Sequence, residues 1–355
     1  MKKSLAACLP LLLAGSALAG DGLSFSLKAD AYSEPVAIHA FTHDWSDSLS
    51  RGDQAFAHAR AELSRREGND EFALLWRYDY LLSFHEGTAR FYHTYAHGGT
   101  PVTGAYPIEI RARHTEAWGF RWKHDFALRP ELTLSPAINL LQGYGLTEGA
   151  VDGSVNLRTP GFDSRDFRAA DLQVDYHYDQ PRLHEDDLGW HPKGPEAIGY
   201  SLDIGAQWQP RPSLTLGLLA CDLLGRLYWR DAPATRYDFD YQADPAQRSL
   251  TGQLSVDDRY LQHLPVRTEA WVTYLTAGGI KAGGLVQSNR LGALATVSLG
   301  SERLPGSPEL LWEPGTGAWG MEFNGRYYRL RWLADNPDAG KAHRLGVTAA
   351  VFMGW

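Results

Sequence analysis

The sequence predicts an all-β fold, an antiparallel transmembrane β-barrel of about fourteen strands. Apolar and polar side chains alternate along many segments, which is the period of a β-strand with two different faces. Aromatic residues concentrate near the ends of these segments, as in Trp118, Phe120 and Trp122, or Tyr328 and Trp332. No segment after residue 20 approaches the roughly 18 uninterrupted apolar residues of a membrane helix. The chain can therefore cross a membrane only with strands.

The clearest alternation lies between residues 72 and 85. One face of this segment is entirely apolar or aromatic, while Arg77 and Asp79 lie on the other. A soluble, exported β-sandwich would also alternate, and this alternative stays open. Strands of sandwiches are usually about 5 or 6 residues long, whereas several segments here exceed ten, which favours the barrel. In a barrel the apolar face contacts lipid and the polar face lines the lumen.

Fourteen segments follow this pattern. They are 23–43, 53–66, 70–85, 107–128, 132–143, 197–209, 213–229, 249–257, 266–276, 280–289, 291–302, 317–324, 326–334 and 344–355. An even number is typical of single-chain bacterial barrels. The count treats Ser33-Glu34-Pro35 as a kink within the first strand.

The connections between these segments differ in length. Short ones at 66–70, 129–131, 210–212 and 324–325 are expected on the periplasmic side, and long loops at 86–106, 144–196, 230–248 and 303–316 outside. Asn324-Gly325 is a strong signal for a two-residue hairpin turn. It would place Phe323 opposite Arg326 and Glu322 diagonal to Arg329.

Both ends of the chain carry export signals. Residues 1–19 have the basic, apolar and small-residue parts of a secretory signal peptide, which leaves 20–355 as a single barrel domain. Residues 345–355 alternate up to the terminal Trp355, and this resembles the C-terminal signal of Gram-negative outer-membrane barrels. The resemblance implies an outer-membrane location and recognition of 345–355 by the barrel assembly machinery. Membrane lipid and lipopolysaccharide are the other expected partners of a monomeric protein.

A second resemblance involves Arg211 to Trp229, "RPSLTLGLLACDLLGRLYW". This segment is similar to the fatty-acid-transporter-like barrels, which have fourteen strands and move hydrophobic compounds. The resemblance implies a channel or transporter for a small, hydrophobic molecule. A barrel that anchors a partner without transport, and a barrel-embedded lipid-modifying enzyme, are the alternatives.

Eight charged residues fall on polar faces and are candidates for the lumen. They are Arg77, Asp79, Arg111, Arg113, Arg121, Glu322, Arg329 and Arg331. Such residues can tune the selectivity of a pore or simply fill the barrel with ion pairs, and the sequence leaves both open. The chain has a net charge of −8, which argues against a nucleic-acid partner.

No catalytic residue, metal site or cofactor is predicted. His177, His184-Glu-Asp-Asp187 and His191 contain metal-ligating side chains, but their spacing fixes no coordination geometry. We interpret this segment as a solvated acidic loop. There is no Gly-x-Ser-x-Gly motif, and Cys221 stands alone after removal of the signal peptide.

Overall fold

A computed structural model describes residues 21–42, 45, 48–163, 166–242 and 248–354. The predicted signal peptide at 1–19 and the terminal Trp355 lie outside the described residues. The strands are β1 (Gly22–Ser33), β2 (Gln54–Glu67), β3 (Asp70–Phe84), β4 (Gly104–His124), β5 (Phe126–Arg129), β6 (Leu132–Leu157), β7 (Phe167–Tyr178), β8 (Glu196–Arg211), β9 (Leu214–Arg230), β10 (Ala232–Gln242), β11 (Ser249–Asp257), β12 (Tyr260–His263), β13 (Arg267–Leu275), β14 (Ile280–Ser288), β15 (Ala293–Ser301), β16 (Glu309–Glu313), β17 (Ala318–Gly325), β18 (Tyr328–Ala334) and β19 (Arg344–Gly354). One helix, α1, spans Glu86–Ala96.

Fourteen of these strands form a closed antiparallel ring, as predicted. Its order is β1, β2, β3, β4, β6, β8, β9, β13, β14, β15, β16, β17, β18 and β19, and β19 pairs with β1 to close it. Pairing of the last strand with the first satisfies backbone groups that would otherwise be exposed to lipid. None of the described helices is long and apolar enough to cross a membrane.

Three predicted strand assignments are wrong. Residues 249–257 form β11, which pairs with β10 outside the ring. The fourteenth strand of the ring is instead β16, a five-residue strand inside the predicted loop 303–316. The first strand ends at Ser33, so Ser33-Glu34-Pro35 ends a strand and does not kink it. The backbone N–H of Ser33 donates to His343 O, and its hydroxyl to Val36 O, which starts the connection to β2.

The connections give the barrel two different ends. We call the end with the short connections 68–69, 130–131, 212–213, 276–279, 302–308 and 326–327 the turn end. The opposite, loop end carries 34–53, 85–103, 158–195, 231–266, 289–292, 314–317 and 335–343. The predicted loop 303–316 therefore reaches both ends.

The register of the 324–325 hairpin also differs from the prediction. Asn324 and Gly325 belong to the strand, because Gly325 pairs with Tyr328. The turn is therefore Arg326-Tyr327, and Phe323 lies opposite Leu330 and not opposite Arg326. The Asn324 amide donates to Glu309 (3.2 Å) and Glu322 (3.0 Å), which keeps Asn324 within the sheet. The partner of Phe323 moves by four residues. Because four is even, the predicted faces of both strands are preserved.

Large apolar side chains cover the outside of the ring. Leu74, Trp118, Leu140, Trp208 and Trp332 are all exposed there. An outward apolar band flanked by aromatic girdles is the surface that lipid requires.

The loop end continues as a sheet above the ring. β6 extends to Leu157, and its second half pairs with β7, which in turn pairs with β10. The predicted loops 144–196 and 230–248 therefore contain strands. Helix α1 packs through Ala89 against Phe84, Leu82 and Ala55. Leu82 and Phe84 alternate in phase with the lipid-facing Leu74, so Phe41, Trp45 and Ala89 of the two connections cover the outer face of the wall there.

Leu74→Arg should lower the free energy of unfolding by about 2 kcal/mol, because position 74 lies on the lipid-facing side of β3, four residues from its turn-end start at Asp70. The measurement is urea unfolding of the protein folded in lipid vesicles. Leu304→Arg is the matched control, since Leu304 is equally exposed but lies in the connection 302–308. Equal effects at the two positions would contradict the assignment of the outer face.

Candidate functional site

An ion pair crosses the lumen between opposite walls. Lys28 of β1 contacts Glu269 of β13, and these strands are seven places apart in the ring of fourteen. A circular ring of this size would be about 28 Å wide, more than the two side chains can span. The ring is therefore flattened along this line. His58 and Asn289, 3.5 Å apart, make a second contact between the same two sides.

The Lys28–Glu269 bridge divides the lumen into two lobes. The first lobe is enclosed by β1, β2, β3, β4, β6, β8, β9 and β13, and the second by β13 to β19 and β1. Each lobe contains its own network of buried charges. We call the two networks the first and the second lattice.

Arg77 lies at the centre of the first lattice. Its guanidinium donates to both carboxylate oxygens of Asp222, at 2.5 and 3.0 Å, and to Asp79 at 2.7 Å. Arg267 bonds the same two carboxylates from β13, at 3.1 and 3.2 Å. His58 completes the coordination of Asp79 at 2.9 Å. Arg77 and Asp222 are almost completely buried, and both depend on these contacts.

A second group of the first lattice lies closer to the turn end. Glu62 accepts from Arg60 at 2.5 Å and from Arg121 at 3.3 Å. Asp203 of β8 faces the same two arginines at 3.6 and 3.8 Å. These contacts link β2 and β4 to β8 across the lobe.

A bulge in β9 brings Asp222 into the lumen. Between Tyr200 and Ile204 of β8, β9 contains two additional residues, and both Asp222 and Leu224 have positive φ. Such values are uncommon for residues other than glycine. The N–H of Asp222 leaves the ladder and donates to the Asp203 carboxylate at 3.0 Å. Asp203 therefore satisfies a backbone group that has no strand partner.

The second lattice is built around Arg344 of β19. Its guanidinium donates to Glu313 at 2.7 and 3.2 Å, and it contacts Asp30 of β1. Nearer the turn end, Glu322 accepts from Arg329 at 2.8 Å, with Arg331 at 3.9 Å. Lys281 and Glu309 form another ion pair of this lattice, at 2.5 Å.

The charges of the two lattices balance. The first contains Arg60, Arg77, Arg121 and Arg267 against Glu62, Asp79, Asp203 and Asp222. The second contains Lys281, Arg329, Arg331 and Arg344 against Asp30, Glu309, Glu313 and Glu322. Neither lattice therefore has a net charge that would favour an anion or a cation.

An apolar cluster also faces the lumen of the first lobe, beside the first lattice. It consists of Leu75, Leu141, Leu146, Ala197, Leu227, Trp229, Ala232 and Leu264. The Trp229 indole N–H donates to Gln262 at 3.1 Å, which leaves the ring itself in contact with leucines. A Cβ added at Gly143 would lie 2.9 Å from Trp229, so glycine is required for this approach. The interior thus contains a packed apolar core as well as charge, and each member of this cluster is at most 5% exposed.

The eight predicted lumen residues lie in three places. Arg77, Asp79 and Arg121 belong to the first lattice, and Glu322, Arg329 and Arg331 to the second. Arg111 and Arg113 lie above both at the loop end, where Arg111 pairs with Asp152 at 2.7 Å and Arg113 with Glu148. The predicted diagonal contact between Glu322 and Arg329 is present.

Most of the partners of these residues were not predicted from the sequence. The missed residues are Lys28, Asp30, Arg60, Glu62, Asp203, Asp222, Arg267, Glu269, Lys281, Glu309, Glu313 and Arg344. Asp222 had a signal, because it is the only charged residue in the apolar run from Leu214 to Leu224. The others sit on alternating faces whose partners are distant in sequence.

The histidine-rich segment after β7 is partly folded and does not form one site. Glu185 is buried, where it accepts from the Tyr176 hydroxyl and from Leu183 N at 2.8 Å. Burial alone would raise the pKa of Glu185, but these hydrogen bonds lower it below its usual value. His177 instead pairs with Asp257 at 2.8 Å. Within the described chain, His184, Asp186 and Asp187 are the only group of three metal-ligating residues whose ligand atoms all lie within 4.8 Å of one another, and all three are exposed.

No protein-family model and no curated protein matches the chain. Among solved structures, it is similar to a TodX deltaS2S3 mutant monoaromatic hydrocarbon channel, with 8% identity over 96% of this chain and 91% of that one, and a TM-score of 0.45. The CymD monoaromatic hydrocarbon channel gives 7% identity, 95% and 89% coverage, and a TM-score of 0.41. The toluene transporter TbuX of Ralstonia pickettii gives 9% identity over 95% of this chain and 90% of that one, and a TM-score of 0.36. Similarity at this level carries no activity or substrate over to this chain.

Asp222→Ala should cost about 3–5 kcal/mol of unfolding free energy, because it leaves the buried Arg77 and Arg267 without a shared acceptor. Urea unfolding in lipid vesicles measures the loss. Asp187→Ala, at an exposed position, is the control and should change little. Adding Arg77→Met to Asp222→Ala should recover part of the loss, and strict additivity of the two changes would contradict the contact.

Proposed function

We propose that the protein is an outer-membrane channel or transporter for a small, largely hydrophobic molecule, and that the lattices hold it closed. The observation that carries this proposal is the Lys28–Glu269 bridge. It closes the narrowest dimension of the lumen with two flexible side chains. Side chains can move apart while every strand of the ring keeps its backbone hydrogen bonds.

The energetics of the lattices support a closed state that can rearrange. Removing charges from water is costly, and well-packed apolar residues are often as stabilising as buried ion pairs. An interior needed only for stability could therefore be filled with apolar side chains. Balanced ion pairs can instead exchange partners or take up water when a solute enters.

The apolar cluster around Trp229 supports a hydrophobic solute. Its leucine and tryptophan side chains are at most 5% exposed in the closed state, so an apolar molecule would contact them where these side chains move apart. The similar solved structures include channels for monoaromatic hydrocarbons, so toluene is a suitable first probe. Because the charges of both lattices balance, selectivity by ionic charge is not expected.

Lys28→Met should open the lumen, because it removes the ion pair between the opposite walls and leaves only the 3.5 Å contact of His58 with Asn289. In planar lipid bilayers the wild-type protein should show little conductance and the variant discrete openings. Liposomes that contain the wild-type protein should take up toluene faster than protein-free liposomes.

Lys123→Met is the matched control. Lys123 pairs with Glu71 at 3.0 Å on the neighbouring strand, so its removal breaks an ion pair of the same type without freeing opposite walls. Equal conductance of the two variants would contradict a role for the bridge. Absence of both conductance and toluene uptake in every variant would favour a barrel with a structural role only.

A further inference from the structure

A strip of basic and aromatic side chains lies on the outer face of the wall at the loop end. We call it the basic strip, and it consists of Tyr200, Arg226, Tyr228, Arg230, Arg259 and His263. Tyr200 pairs with Arg226, and Arg226 with His263, so these side chains share one face of the sheet. Ile198 and Leu140 are exposed on the same face, which identifies it as the outer one.

The height of the basic strip matches the edge of the membrane. Tyr200 lies eight residues from Trp208, an exposed aromatic residue three positions before β8 ends at the turn end. With a rise of about 3.3 Å per residue and a tilt of about 40°, eight residues rise roughly 20 Å, close to the top of a 25 Å apolar band. Arg230 and Arg259 lie one residue beyond the Trp229–Tyr260 pair and therefore higher still. Their side chains reach the level of lipid headgroups.

The arginines of the basic strip lack carboxylate partners, unlike those of the lumen. Within the described residues, no carboxylate oxygen lies within 4.0 Å of Arg226, Arg230 or Arg259. Arg226 interacts instead with the hydroxyls of Tyr200 and Tyr228. Glu196 faces Arg230 in the register, but it forms no ion pair there. Three arginines on one face of the wall that form no ion pair with a described residue are available to bind an anion.

A cavity of about 550 Å³ adjoins the basic strip. Tyr228, Arg230, Asp231, Asp258, Arg259 and Tyr260 contribute to its lining. Asp231 and Asp258 would repel an anion, so the phosphate position is set by the two arginines and by Arg226 below them. Apolar residues continue the surface towards the membrane centre, where Leu224 is 72% and Leu218 is 50% exposed. This surface suits an acyl chain.

We propose that the basic strip binds a phosphorylated lipid of the loop-end leaflet, of the lipopolysaccharide type. Its phosphate groups accept from Arg226, Arg230 and Arg259, because guanidinium groups bind phosphate with paired hydrogen bonds. Its acyl chains lie against Leu224 and Leu218 beside the bulge of β9. This site is on the opposite side of the wall from the lattices and does not depend on transport.

The test measures the affinity of lipopolysaccharide for the detergent-purified barrel. It compares the wild type with the triple variant in which Arg226, Arg230 and Arg259 are all changed to Gln. Each basic residue near an anionic lipid surface contributes about fivefold in affinity, so the loss should be about a hundredfold. The matched control changes Arg129, Arg211 and Arg326 to Gln at the turn end, and it should bind like the wild type. The single variant Arg259→Gln, outside the strands, gives a fivefold loss where the triple variant does not fold.

Two further ligands distinguish the source of the phosphate. Dephosphorylated lipopolysaccharide should bind the wild-type protein as weakly as intact lipopolysaccharide binds the triple variant. Inorganic phosphate should neither bind at lipid-like concentrations nor displace the lipid. Equal loss in both triple variants, tight binding of the dephosphorylated lipid, or competition by inorganic phosphate would each overturn the proposal.

Discussion

Closure of the sheet is the constraint on which the rest of the structure depends. Each backbone group left unpaired in lipid costs several kcal/mol, so the ring has no free edge at membrane depth. The pairs from Gly22–Gly354 to Tyr32–Arg344 meet this requirement by joining the first strand to the last. Closure with fourteen strands also fixes the perimeter. A circular lumen of that perimeter would be wider than side chains can fill, and flattening of the ring allows side chains to meet across it.

The distribution of basic residue types follows the burial of each pair. The fully enclosed cations are arginines: Arg77 and Arg344 are each at most 2% exposed and each binds two carboxylates. A guanidinium can satisfy two acceptors at once, which an ammonium group does less well. Lysine appears in the more hydrated Lys28–Glu269 pair. The bridge between the walls is thus formed by the more flexible and more easily hydrated cation.

The period of two in the sequence was sufficient to assign the faces of most strands, because lipid and lumen impose opposite polarity on neighbouring residues. The period of two was not sufficient where the difference in polarity between the two faces of a strand is small. The second half of β6 contains Gly145, Gly149 and Gly153 and looked like a loop, although these glycines permit close packing against β4 and β7. β16 was too short to show a period. The lattice partners could not be predicted, because Arg77 and Asp222 are 145 residues apart and meet only in the closed ring.

The two lobes differ in how freely they can rearrange. In the first, Arg77 and Asp222 join strands four places apart in the ring, and Asp79 and Arg267 join strands five places apart. This lattice is also tied to the wall, since Asp203 faces Arg60 and Arg121 while it accepts from the displaced N–H of Asp222. In the second lobe, every contact joins strands at most three places apart and follows the wall. We therefore expect release of Lys28 from Glu269 to widen the second lobe before the first, which the contact of Asp222 N–H with Asp203 ties to the wall.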